Sequence, residues 1–137
     1  MGKLLERLSD PARSGVYRVA HANDVTDAVR GSKLASAEIN ISNNVFEAFA
    51  AALAFPDWFG RNWDALEDCL SDLSWRKADG HVLLITAFDT VARDDLGVLR
   101  DVLAAAAEFW SGRGRPFFAV FVDPRGTLAL PVLYREK

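Results

Sequence analysis

Two short stretches of this sequence carry almost no polar side chain. They are His81-Val82-Leu83-Leu84-Ile85 and Phe117-Phe118-Ala119-Val120-Phe121-Val122. A strand sends successive side chains to opposite faces, so a strand without a polar face needs cover on both sides. Central strands of a parallel sheet meet that condition, with helices packed above and below.

The rest of the chain supplies strands and helices in alternation. Residues 16–20 read as a short strand. Asn23-Asp24 offers a cap for a helix over Val25, Ala28 and Val29, which Gly31-Ser32 ends. Residues 38–41 alternate polar and apolar and read as another strand. Ser42-Asn43-Asn44 can cap a helix whose apolar stripe is Val45, Phe46, Phe49, Leu53 and Phe55, closed by Pro56. Further helices are expected over residues 62–73 and 94–110. Gly112 to Arg115 reads as a turn, and Asp123-Pro124-Arg125-Gly126 has turn chemistry. Residues 128–134 could return as an edge strand, because Pro131 is tolerated at an edge and not at the centre. The first fifteen residues read as a short amphipathic or irregular lead-in. The fold class is therefore α/β: a small, mainly parallel β-sheet flanked by helices.

At 137 residues the chain fits one domain with a real hydrophobic core. Its one cysteine, Cys69, excludes an internal disulfide and fits a reducing, cytoplasmic setting. No export signal and no membrane-spanning run is legible. Two distant histidines and that cysteine argue against a zinc site. A formal net charge of -3 argues against direct nucleic-acid binding.

That charge is unevenly spread. Between Asp57 and Asp72 there are five acids and one base, so the segment carries -4 and the remainder +1. With residues 62–73 on a helix, Leu66, Cys69, Leu70 and Leu73 share one face. Asp64, Asp68 and Asp72 then share the opposite face, with Glu67 beside them. Like charges four residues apart repel. A solvated helix face is the bland explanation, and Asp64 also suits the positive helix start. Asp72, at the other end, has no such excuse. A concentrated negative face steers a cationic partner. Just upstream, Asp57-Trp58-Phe59-Gly60 places aromatics beside the carboxylates, and Gly60 permits a turn that other residues resist. Asn62 can cap the helix or brace the loop. Aromatic anchors ringed by charge are typical of protein interfaces.

The pattern from Phe55 to Leu70 (aliphatic or aromatic, Pro, acid, two aromatics, Gly-x-Asn-x-Asp-Ala-Leu-x-Asp-Cys-Leu) resembles the barstar family, intracellular inhibitors of barnase-type ribonucleases. The matching order of elements runs from about Ala35 to Val122. The resemblance implies one domain with a family core over about residues 35–122. Residues 1–34 are then an N-terminal extension with an extra strand and helix, and residues 123–137 a C-terminal extension. It implies a non-enzymatic protein that needs no cofactor and occludes a ribonuclease active site with a loop and an acidic helix. In the family an aspartate near the middle of that helix takes the place of the substrate phosphate, and the matching residue is Asp68. The earlier acid matches Asp64 and the loop aromatic matches Trp58, while Gly60 and Asn62 match in kind. A ribonuclease holds phosphate with cationic side chains, so a carboxylate held there makes charge-assisted hydrogen bonds. Glu67 stands where the best-known member has tryptophan. For a contact acid on the later helix the nearest candidate is Glu108, and Trp75 lies near another family aromatic contact.

Two other readings stand beside this one. The first is an immunity or protein-interaction module of the same fold with a non-ribonuclease partner. The second, weaker, is an enzyme using the acidic face with a metal. Acids at helix spacing of four spread over about 12 Å, too far for one ion to meet all three. Cys69 reads as a small buried hydrophobe and not a nucleophile.

Overall fold

A computed structural model describes residues 2–134. The two apolar runs form β3 (Gly80–Thr86) and β4 (Phe117–Val122), and they pair in parallel with His81 opposite Phe117. β2 (Leu34–Asn40) lies on the other side of β3, and β1 (Gly15–Val19) on the other side of β4. The sheet order is β1-β4-β3-β2, parallel throughout. The expected α/β class is therefore the observed one.

Both faces of the central strands are covered, by different parts of the chain. On one face Leu83, Ile85, Phe117, Ala119 and Phe121 pack under α3 (Val45–Leu53), α4 (Trp63–Leu70) and α5 (Arg93–Ser111). On the other, Val82, Leu84, Phe118 and Val120 pack with Leu4 and Leu8 of α1 (Gly2–Leu8), with Val25 and Val29 of α2 (Ala22–Val29), and with Leu133. Each fully buried side chain of this size contributes about 1.5–3 kcal/mol, so neither layer is dispensable.

Several boundaries differ from the sequence expectation. β2 begins at Leu34, ahead of the alternating stretch, because its whole length ladders onto β3 from Gly80 to Thr86. Ile41 lies beyond the strand end, yet its N–H donates to the Thr86 carbonyl at 3.1 Å. α2 starts earlier than Asn23-Asp24. His21 takes the N-cap position without a side-chain hydrogen bond, and Asp24 sits in the first turn near the positive helix end. The lead-in is a helix followed by a 3₁₀ turn over Pro11–Arg13. Residues 128–134 do not form a strand. They touch the outer edge of β1 at one bridge, where Arg18 donates to the Pro131 carbonyl and Leu133 donates to the Arg18 carbonyl, each at 2.9 Å. Pro131 has no N–H to extend the ladder. Asp123 ties this segment down by accepting bonds from the Thr127 N–H, the Thr127 hydroxyl and the Leu128 N–H.

His81 and Asp123 are the buried polar side chains among the described residues. Burial first, then the positive charges of Arg76 and Arg115, push the His81 imidazole down to about 4. The unfolded chain protonates this histidine nearer 6.5, so it binds more protons than the folded state between these values. Stability contributed by neutral His81 is therefore full above pH 6.5 and is lost as pH falls toward 4. Urea denaturation across that window measures the slope, and His81→Leu is expected to flatten it.

Gly80 opens β3 where no side chain fits. A Cβ there would lie 2.5 Å from Pro116 Cγ and 2.9 Å from both Leu34 Cδ2 and the Pro116 carbonyl oxygen. Gly80→Ala is expected to destabilise the fold by about 1–3 kcal/mol through overpacking, read as a lower urea midpoint.

Candidate functional site

The loop between α3 and α4 is shaped by its neighbours in sequence. α3 ends at Leu53, Ala54 turns left-handed at φ 55°, and Pro56 prevents the helix from resuming. The next two aromatics then part company. Phe59 is buried at 4 % exposure, with its ring centroid 4.8 Å from Phe55 and 6.5 Å from Phe46. Trp58 is 65 % exposed, and it is the one exposed aromatic among the described residues' exposed large hydrophobics. Trp63 packs edge-on to Phe46 at 4.8 Å and belongs to the core margin.

Beside the aromatics the left-handed residue is Arg61, at φ 53°, and not Gly60. Gly60 sits close to its neighbours. A Cβ on it would meet Asn62 Nδ2 at 3.3 Å and Ala65 Cβ at 3.5 Å. Asn62 does both jobs its sequence position suggested. Its Oδ1 accepts from the Ala65 N–H at 2.8 Å, capping α4, and its Nδ2 donates to the Gly60 carbonyl at 3.4 Å. Arg61 donates to Glu47 on α3 and to the Phe59 carbonyl. This pair lowers the Glu47 pKa, chiefly through the hydrogen bond, and raises that of Arg61 for the same reason. Glu47 carried no sequence signal of its own, since its partner lies across the loop.

α4 presents Asp64, Glu67 and Asp68 to solvent and buries Leu66, Cys69 and Leu70 completely. Its last helical residue is Leu70, three short of the expected end. Leu73 adopts φ 47° to reach the core, and the Asp72 carboxylate accepts from the Ser74 N–H at 3.3 Å. Asp72 therefore leaves the helix, and the expected row of three acids is a pair, Asp64 and Asp68, with Glu67 alongside. Asp57, Asp64, Glu67, Asp68 and Asp72 form no salt bridge among the described residues. The one base of the segment, Arg61, is committed to Glu47 instead.

Glu67 and Glu108 face a shared shallow groove between α4 and α5, with Ser71 and Arg113. Trp75 is turned to a structural task, donating its indole N–H to the Leu53 carbonyl at 2.8 Å and packing on Phe55. Cys69 is free and buried, and burial followed by the charges of Asp72 and Asp68 pushes its thiol pKa up. No group of three or more histidine, cysteine or acidic side chains is placed to hold a metal ion among the described residues. No helix there is long and apolar enough to cross a membrane.

A parallel α/β sheet thus carries a pinned aromatic loop that leads into a helix with exposed acids. Residues 32–122 match the family model for barstar, the barnase inhibitor. The chain belongs to the barstar family. Membership supports a barnase-inhibitor-like role in general terms, with a protein partner. No curated protein matches the chain.

Phe59 and Trp58 have opposite expectations. Phe59→Ala is expected to cost about 3–5 kcal/mol of stability, whereas Trp58→Ala should stay within about 0.5 kcal/mol of the parent. Chemical denaturation of the two variants distinguishes an anchor from a contact residue.

Proposed function

We propose that this protein inhibits a secreted or toxin ribonuclease of the barnase type by inserting the Trp58 loop and α4 into its cationic active site. The observation that carries this reading is the run of exposed carboxylates Asp64, Glu67 and Asp68, in no salt bridge among the described residues, directly behind the exposed Trp58. Asp68 replaces the substrate phosphate and accepts charge-assisted hydrogen bonds from the enzyme's cations. Asp64 and Glu67 add charge contacts at the margin. Trp58 supplies the aromatic contact. Gly60 and Asn62 hold the loop and helix start in place. Binding alone blocks the enzyme, so the mechanism uses no cofactor and no contact with nucleic acid. It operates in the cytoplasm, where a producing cell needs protection from its own enzyme.

Three features of the loop favour a rigid plug. Phe59 fixes it to the core, Asn62 ties its end to α4, and the Arg61–Glu47 pair ties it to α3. A surface already in its bound shape loses less freedom on association. Glu67 makes the face more acidic than a tryptophan there would, and Glu108 across the groove extends it.

Titration against ribonucleases of the same cell and its competitors tests the reading. A one-to-one complex is expected, with association slowing as salt rises. Asp68→Ala should weaken it by about 2–5 kcal/mol, the cost of leaving the enzyme's buried cations unpaired. Asp72→Ala, off the helix, should cost under about 1 kcal/mol. Equal small losses would overturn the role of Asp68. Tight binding to a protein that is not a ribonuclease would favour the interaction-module reading.

A further inference from the structure

Beyond the C-terminal end of α4 lies a second charged region of the opposite sign. A cleft of about 1090 Å³ opens there between the start of β2, the residues following α4 and the turn after α5. Lys33, Arg76, Lys77, Arg113 and Arg115 line it, against two acids, Asp72 and Asp79. None of the five bases is in a salt bridge among the described residues.

These bases are not explained by the nearby helix ends. Cations often gather at helix C-termini to satisfy free carbonyls. Here those carbonyls already have partners. Glu108 accepts from the Gly112 N–H, Trp110 accepts from Arg113 and Arg115 N–H groups, and Leu70 accepts from the Trp110 indole at 2.7 Å.

A second observation points to a ligand. His81 lines the cleft at 4 % exposure, and its Nδ1 has no hydrogen-bond partner among the described residues. The Nε of Arg76, also in the lining, is buried and equally unpartnered. Buried polar groups are nearly always hydrogen-bonded; the Arg76 Nε–H is a donor without an acceptor, and His81 Nδ1 is a second unmatched polar atom, a donor in the tautomer that carries its proton there. Guanidinium forks fit phosphate oxygens in two-point contacts. Trp110, whose ring centroid is 5.8 Å from that of His81, adds an aromatic wall.

We propose that this cleft binds a phosphate-bearing small ligand of up to nucleotide size, held by Arg76 and Arg115 over His81 and flanked by Lys33, Lys77 and Arg113. The site is independent of the Trp58 loop and does not rely on ribonuclease inhibition.

The test is a titration of the full chain with inorganic phosphate, AMP and adenosine at constant ionic strength, followed by NMR at the two histidine rings. Saturable shifts of His81 with phosphate and AMP are expected, with His21, exposed at the start of α2, unmoved. AMP binding tighter than phosphate identifies a nucleotide, and equal affinity a simpler phosphate ester; each supports the site. The double variant Arg76→Gln/Arg115→Gln, checked for folding by circular dichroism, should raise the Kd about tenfold or more. Arg125→Gln, outside the cleft, should leave it unchanged. Absence of a saturable His81 shift, parallel movement of His21, an unchanged Kd in the folded double variant, or adenosine binding as well as AMP would overturn the proposal.

Discussion

The whole architecture follows from β3 and β4 having no polar face. Val82 and Leu84 point one way, Leu83 and Ile85 the other, and all four are buried. Such strands exclude water only when sandwiched. The α3–α5 layer covers one side and lies within the span that matches the family. The opposite layer is built from α1, α2 and Leu133, which lie outside that span. α1, α2 and Leu133 are therefore structural, because they close the second face of the same sheet. β1 joins in as well, as the strand next to β4.

What was legible in the sequence depended on whether the cause was local. Apolar runs announced β3 and β4, and Asn44 and Asn62 announced their helix starts, because capping reaches only three residues along the chain. The loop between Pro56 and Gly60 points to Trp58 as a surface aromatic, and Trp58 is exposed, but nothing local marks the adjacent Phe59 as the buried anchor, because that depends on Phe46 and Phe55 packing against it. α4 ends before the expected Leu73 for a related reason. Leu73 continues the helical spacing, but it reaches the core by a left-handed turn, and periodicity does not distinguish these routes. Gly60 does not use the torsional freedom that a loop glycine suggests, since the left-handed turn falls on Arg61. The orphaned atoms of Arg76 and His81 belong to residues from separate elements, and nothing in either neighbourhood signals the other.

Loop and helix form one unit through contacts that point inward. Arg61 pairs with Glu47, so the acids of α4 face outward with no salt bridge among the described residues. That is a use of a salt bridge in which the pair itself stabilises little, being exposed on both sides. Its effect is to direct the one positive charge of the Asp57–Asp72 segment to α3 and away from the acids of α4.

The segregation of charge along α4 has a further consequence. Carboxylates gather on the helix itself, while five bases gather just past its C-terminal end. A molecule with a small net charge but separated poles carries a permanent dipole moment. In the field of a strongly basic enzyme it experiences a torque as well as a pull. It turns its negative pole forward and its positive pole away before any surfaces touch. For a partner of the proposed kind, charge separation would then favour a productive approach despite a net charge of only -3.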